Sequence, residues 1–76
     1  MATLSDLTPR EMEILQLVLA GRTNKAIAAE IRITEKTVEF HLSNIYTKIG
    51  QRTRTLAIVW AIQHGIDGKE TREIPS

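Results

Sequence analysis

The chain contains no cysteine among its 76 residues. That excludes disulfide staples and thiolate zinc ligands, and it fits a reducing compartment. No apolar run approaches the ~20 residues that a membrane-spanning helix needs, and the N-terminus lacks the basic-then-apolar pattern of a secretory signal. Strand alternation, internal repeats and low-complexity blocks are missing. So are a carboxylate pair, a nucleophile–base set and a phosphate loop; the acids lie scattered over solvent faces, which argues against an enzyme. The length allows one small domain, which buries roughly 60% of the surface its unfolded form exposes. So thin a core leaves no room for a deep substrate cleft, and neither a cofactor nor a small-molecule ligand is expected. These absences read as a soluble, cytoplasmic domain over residues 1–66, followed by a flexible charged tail at 67–76.

What is present is a charge pattern that the net value of +1 conceals. Residues 1–21 hold Arg10 against Asp6, Glu11 and Glu13, a local balance of −2. Residues 22–54 hold Arg22, Lys25, Arg32, Lys36, Lys48, Arg52 and Arg54 against Glu30, Glu35 and Glu39, a balance of +4. Residues 55–66 carry no formal charge, and the tail stands at −1. The positive charge is thus gathered in the middle of the chain, where a phosphate-facing surface would use it. A mixed-charge stretch of this kind is also what an ordinary solvated face looks like.

The apolar spacing predicts four helices and an all-α fold. Helix one, about 9–20, opens on a capping box of Thr8 and Glu11 with Pro9 at its first position and Leu7 and Met12 as a hydrophobic staple. Ile14, Leu15, Val18 and Leu19 form its apolar side, and Gly21 ends it. Helix two is capped by Thr23 and carries Ile27, Ala28 and Ile31. A helix that short is unstable alone, so packing has to hold it. Helix three, 35–49, is capped by Thr34 and presents Val38, Leu42, Ile45 and Ile49 on one face. At about 100° per residue, Lys36, Phe40, Ser43 and Thr47 fall opposite, with Glu39 beside them, and Thr37, His41, Asn44 and Lys48 form an edge of hydrogen-bonding groups. Helix four, 54–64, is capped by Thr53 and is apolar nearly all round; Ala57, Ile58, Ala61 and Ile62 are expected inside.

The connection between helices two and three carries the functional signal. About three residues separate them, the spacing of a helix-turn-helix. Ala28 supplies a small residue where the backbones approach, and Ile27, Ile31, Ile33 and Val38 supply apolar locks around the turn. Ile33, a branched apolar residue inside a polar turn, is expected to plug the core between the helices. The alternative at this point is an ordinary helical hairpin with no ligand.

The segments LTPREMEILQLVLAGRTNKAIAAEI, ITEKTVEFHLSNIYTKIG and RTRTLAIVWAIQHG, which together run without gaps from residue 4 to near residue 66, closely resemble the LuxR-type (NarL/FixJ-type) C-terminal DNA-binding domain of bacterial transcription regulators. Leu7, Thr8, Arg10, Glu11, Gly21, Asn24, Ile27, Ala28, Thr37, Val38, His41, Leu42, Ile45, Lys48, Ile49, Arg54 and Ala57 stand in register with it. The resemblance implies a tetra-helical fold, double-stranded DNA as partner, helix three in the major groove and a homodimer formed through helix four. Contact with RNA polymerase would accompany a role in transcription; no membrane partner is expected.

The resemblance places base contacts at the positions of Glu39, Phe40 and Ser43, and the exposed side of helix three adds Lys36 and Thr47. Some relatives have lysine where this chain has Glu39 and Ser43. Glu39 can accept from cytosine N4, and Phe40 can touch a thymine methyl. Phosphate contacts are expected from Asn24 and Lys25, where free N–H groups open helix two, and from Thr37, Asn44, Lys48, Arg52 and Arg54. Leu56, Val59, Trp60 and Gln63 are expected to face outward as the dimer patch, Trp60 having the alternative of folding back onto helix one. His41 is expected to be half-buried, tying helix three to neighbouring backbone or touching DNA; no partner at ligand spacing suits it to a metal. His64 lies where a helix C-terminus favours it. Two other readings share these features: a protein-interaction module that pairs with a regulator through helix four, supported by the acidic Glu35 and Glu39, and the promoter-reading domain of a sigma factor. No sensor or receiver domain is visible, so the chain reads either as one domain of a longer regulator or as a protein controlled by its abundance or partners.

Overall fold

Four threonines set where the helices begin. In the computed structural model, which describes residues 6–66 and Gly68, α1 spans Pro9–Leu19, α2 Asn24–Ile31, α3 Glu35–Ile49 and α4 Arg54–Gln63. Thr8, Thr23, Thr34 and Thr53 each accept a hydrogen bond from the backbone N–H three residues on, satisfying a donor that the first helical turn leaves over. Among the described residues there is no strand. The fold is the all-α, four-helix helix-turn-helix domain that the sequence indicates, and the expected tail, Gly68 apart, lies outside the described residues. Gly68 itself lies against α1's end, with Ala20 backbone 3.2 Å from where a Cβ would sit.

α1 forms the centre of the core. Ile14, Leu15 and Leu17 are fully buried and Val18 nearly so. The buried arc is wider than the stripe expected, because α1 packs against α2, α3 and α4 at once; Leu17 lines the side that a two-helix packing would have left open. Ile27 and Ala28 of α2 and Val38, Leu42, Ile45 and Ile49 of α3 complete the middle. Ile33 packs against this cluster from within the turn, as expected of a plug.

That turn is made by a residue the sequence did not mark. Arg32 closes α2 in the left-handed region, at φ 62° and ψ 48°, and the Ile33 N–H then reaches the Ala28 carbonyl at 2.9 Å. The left-handed region crowds a side-chain-bearing residue, whereas glycine enters it freely. Arg32→Gly therefore raises stability by about 0.5–1 kcal/mol, seen as a Tm higher by roughly 2–8 °C. An unchanged or lower Tm would show the turn to be unstrained.

α4 is rotated from the orientation expected. Ala57, Trp60 and Ala61 face inward, Ile58 is half-buried, and Ile62 is 63% exposed. Trp60, placed outside by the sequence reading, is only 8% exposed. A helix apolar on every side takes the rotation that buries its largest side chain, and an indole removes more apolar surface than an isoleucine. His64 caps it: the rings stack at 4.0 Å between centroids with 20° between planes, and His64 Nδ1–H donates to the Trp60 carbonyl at 2.8 Å.

Candidate nucleic-acid interface

The face of α3 that the fold leaves unused is built by the same helix that fills the core. Its apolar side anchors the rod, so Lys36, Glu39, Phe40, Ser43 and Thr47 all stand exposed on the other side. Phe40 is 64% exposed, the largest aromatic surface on the described chain, with its ring edge-on to His41 at 6.0 Å. The Thr47 hydroxyl donates to the Ser43 carbonyl at 3.0 Å, which leaves its oxygen as an acceptor. Lys36 and Glu39 have no ion pair among the described residues.

Of the expected phosphate ligands, all but Asn44 divide into two groups. Lys25 and Arg52 are exposed and have no side-chain partner among the described residues. Four others are committed within the domain. Lys48 Nζ donates to Glu11 Oε1 at 2.7 Å, and that same oxygen accepts the Thr8 N–H at 2.9 Å, closing the capping box. Burial pushes the Glu11 carboxyl up, but the Lys48 and Thr8 hydrogen bonds and the Lys48 charge together hold it below its ordinary value. Arg54 donates to Asn24 Oδ1 at 2.8 Å and to the Arg22 carbonyl at 2.6 Å, which clamps the start of α4 to the start of α2. Thr37 shares a 2.9 Å hydroxyl contact with Thr34 beside the α3 cap. Lys48, Arg54 and Asn24 thus hold the scaffold together through partners that the sequence reading did not supply. Asn44 and His41 are half-buried on the flank of α3.

Sequence reasoning passed over Tyr46. It lines a shallow groove with Glu39 and Ser43 of α3, Asn24 of α2 and Arg52 and Arg54 before and at the start of α4. Burial raises its phenol above the ordinary value, and Arg54 pulls the other way. Its position one residue after the core Ile45 is the signal that could have placed it at the rim of the core.

Residues 5–61 match the family of bacterial regulatory proteins described as the luxR family. The chain belongs to that family. The luxR-family relatives include the response regulator protein VraR of Staphylococcus aureus, 48% identical over 60 residues. That alignment covers 79% of this chain and 29% of the relative, so the chain spans less than a third of the length of the curated relatives it matches. Among solved structures, the transcription factor GerE superposes with a TM-score of 0.72 at 41% identity, covering 78% of this chain and 88% of that one. VqmA of Vibrio cholera, in a complex with ligand and DNA, gives a TM-score of 0.78 at 34% identity over 82% of this chain and 27% of that one.

Proposed function

We propose that this luxR-family domain binds double-stranded DNA sequence-specifically to regulate transcription, with α3 in the major groove. The observation that carries the reading is the division of α3 into two faces. Val38, Leu42, Ile45 and Ile49 are consumed by the core, and Lys36, Glu39, Phe40, Ser43 and Thr47 stay exposed on a helix that a three-residue turn fixes to α2. A major groove admits one helix presented in this way. The DNA-bound state of the similar VqmA supports the same reading. Lys25 and Arg52 supply phosphate contacts, with Thr37, Asn44 and the rim groove at Tyr46 beside them.

Dimerisation through α4 uses the face that remains outside: Leu56 at 48% exposure, Val59 at 44%, Ile62 and Gln63. An uncharged apolar patch of this kind favours pairing with a second copy. Two recognition helices would then meet half-sites about 34 Å apart. Trp60 is withdrawn from this surface, so Val59→Glu is the informative variant. Sedimentation equilibrium is expected to show a weaker dimer for it, and an unchanged association constant would remove α4 as the interface.

Gel shifts with random duplex at low salt test the primary reading. Binding is expected, and Lys25→Ala and Arg52→Ala should each lower the log–log salt slope by about 0.9. Loss of neither contact from the slope would take both residues off the phosphate path. No binding at all would favour a protein-interaction module working through α4.

A further inference from the structure

The contact between Asn24 and Arg54 fixes the direction of an amide. A guanidinium carries only N–H donors and no acceptor. Arg54 Nη1 lies 2.8 Å from the end of the Asn24 side chain, so the atom facing it has to be the amide oxygen. The other arm of the fork, Nη2, donates to the Arg22 carbonyl at 2.6 Å. That second bond ties the guanidinium to the main chain just ahead of Asn24, so the amide is held relative to the backbone of α2. The Asn24 nitrogen is left turned from the guanidinium with its N–H donors unspent. No hydrogen bond engages it among the described residues, and it is open to solvent. We infer that Arg54 is a positioning residue for DNA: it holds the Asn24 amide oxygen inward, so that the amide nitrogen donates to a backbone phosphate. This inference rests on the proposed binding of double-stranded DNA.

The surroundings of that nitrogen suit an anion. Asn24 lines the groove beside α3 together with Arg52, Arg54 and Glu39, and a pair of guanidinium groups against a single carboxylate leaves it net positive. Lys25, next in the chain, is exposed and adds to the same field. Arg54 itself is half-buried, and both of its terminal nitrogens are already engaged within the domain. It therefore gives the groove charge and gives Asn24 order, without a phosphate contact of its own. Order matters because an amide has two ends. Turned the other way, Asn24 would offer a phosphate its oxygen, which repels. An unrestrained side chain would also lose rotamer freedom on binding, a cost that the Arg54 bond removes in advance. Lysine at this place would keep the charge but replace the planar fork with a single compact ammonium, and the amide would lose its lock.

The test uses the full chain and a random-sequence duplex in dilute buffer, with affinity read by fluorescence anisotropy and folding by urea midpoints. Asn24→Asp keeps the acceptor that Arg54 needs and removes the amide donors. Its midpoint is expected at or above that of the wild type, because a carboxylate accepts a guanidinium more strongly and suits the first turn of a helix. Its affinity is expected to fall by about 10–100-fold, the worth of a hydrogen bond to a charged group. Arg54→Lys then separates positioning from direct contact. With Asn24 present it should weaken binding by about 2–10-fold, the effect of having to order one more side chain at an interface. In an Asn24→Ala background the same change should add no further loss, since residues acting through one another are not additive. The losses should be alike for every duplex sequence, because a phosphate contact carries no sequence information. Equal losses from Arg54→Lys in both backgrounds, or an Asn24→Asp variant that binds within about 3-fold of wild type, overturn the inference while leaving DNA binding intact. A lowered midpoint for Asn24→Asp overturns it as well, since Arg54 would then not face an acceptor there. A wild-type chain that binds no duplex overturns the binding reading itself, and this inference with it.

Discussion

Replacing Lys48 with methionine is expected to cost this domain a large part of its stability. The Glu11 side chain is 6% exposed, and one of its oxygens takes both the Lys48 ammonium and the Thr8 N–H. Removing the cation strands a charge in the core, a change that costs about 3–5 kcal/mol for a fully buried pair. Lys48 is itself about a third exposed, at 35%, and the Thr8 bond remains, so about 2 kcal/mol is the fitting figure once solvent screening is allowed for. For a domain of this size that is a fall in Tm of roughly 8–16 °C, readable from Trp60 fluorescence. A fall of under 3 °C would show that the tie between the start of α1 and the end of α3 is ornamental.

The pH dependence of the same tie has a definite sign. The folded Glu11 carboxyl lies below its unfolded value of 4.5. Its contribution is therefore complete above that pH and is lost as pH falls through the lower, folded value. Urea midpoints of the wild type should decline below about pH 5 more steeply than those of the Lys48→Met variant. Parallel declines would assign acid sensitivity to other carboxylates.

Ser43→Asp is expected to remove DNA binding without touching the fold. Ser43 is exposed at the middle of the free face of α3, and surface substitutions of this kind move stability by no more than about 0.5 kcal/mol. In the groove, a new carboxylate would face phosphates at roughly 6 Å. At an effective dielectric of about 20, that repulsion amounts to roughly 3 kcal/mol, or about 100-fold in affinity. Ser43→Ala should stay close to wild type. An Asp variant that binds within 3-fold of wild type, judged against the ~10-fold that 1.4 kcal/mol represents, would place the DNA elsewhere.

Local signals in the sequence were enough to fix the helices. Each threonine cap acts within three residues, and the period of α3 separates its two faces without reference to any neighbour. What the sequence concealed depends on residues far apart in the chain. Glu11 and Lys48 are separated by 37 positions, and Arg54 and Asn24 by 30. From sequence each cation looks like a free phosphate ligand; only the fold shows which ones already have an acceptor. The rotation of α4 was hidden for a different reason. With apolar residues on every side, its periodicity carries no preference, and the decision passes to side-chain size, which favours burying Trp60 over Ile62. Arg32 gave no warning either, because glycine is the usual sign of a left-handed turn and arginine is not.

The most direct measurement is an amide chemical-shift titration of the labelled chain with a selected duplex in dilute buffer. Shifts concentrated at Lys36, Glu39, Phe40, Ser43 and Thr47, with smaller changes at Lys25 and Arg52, are the expected result. Still resonances along α3, or movement confined to Leu56, Val59 and Ile62 of α4, would contradict the assignment of α3 as the helix that enters the groove.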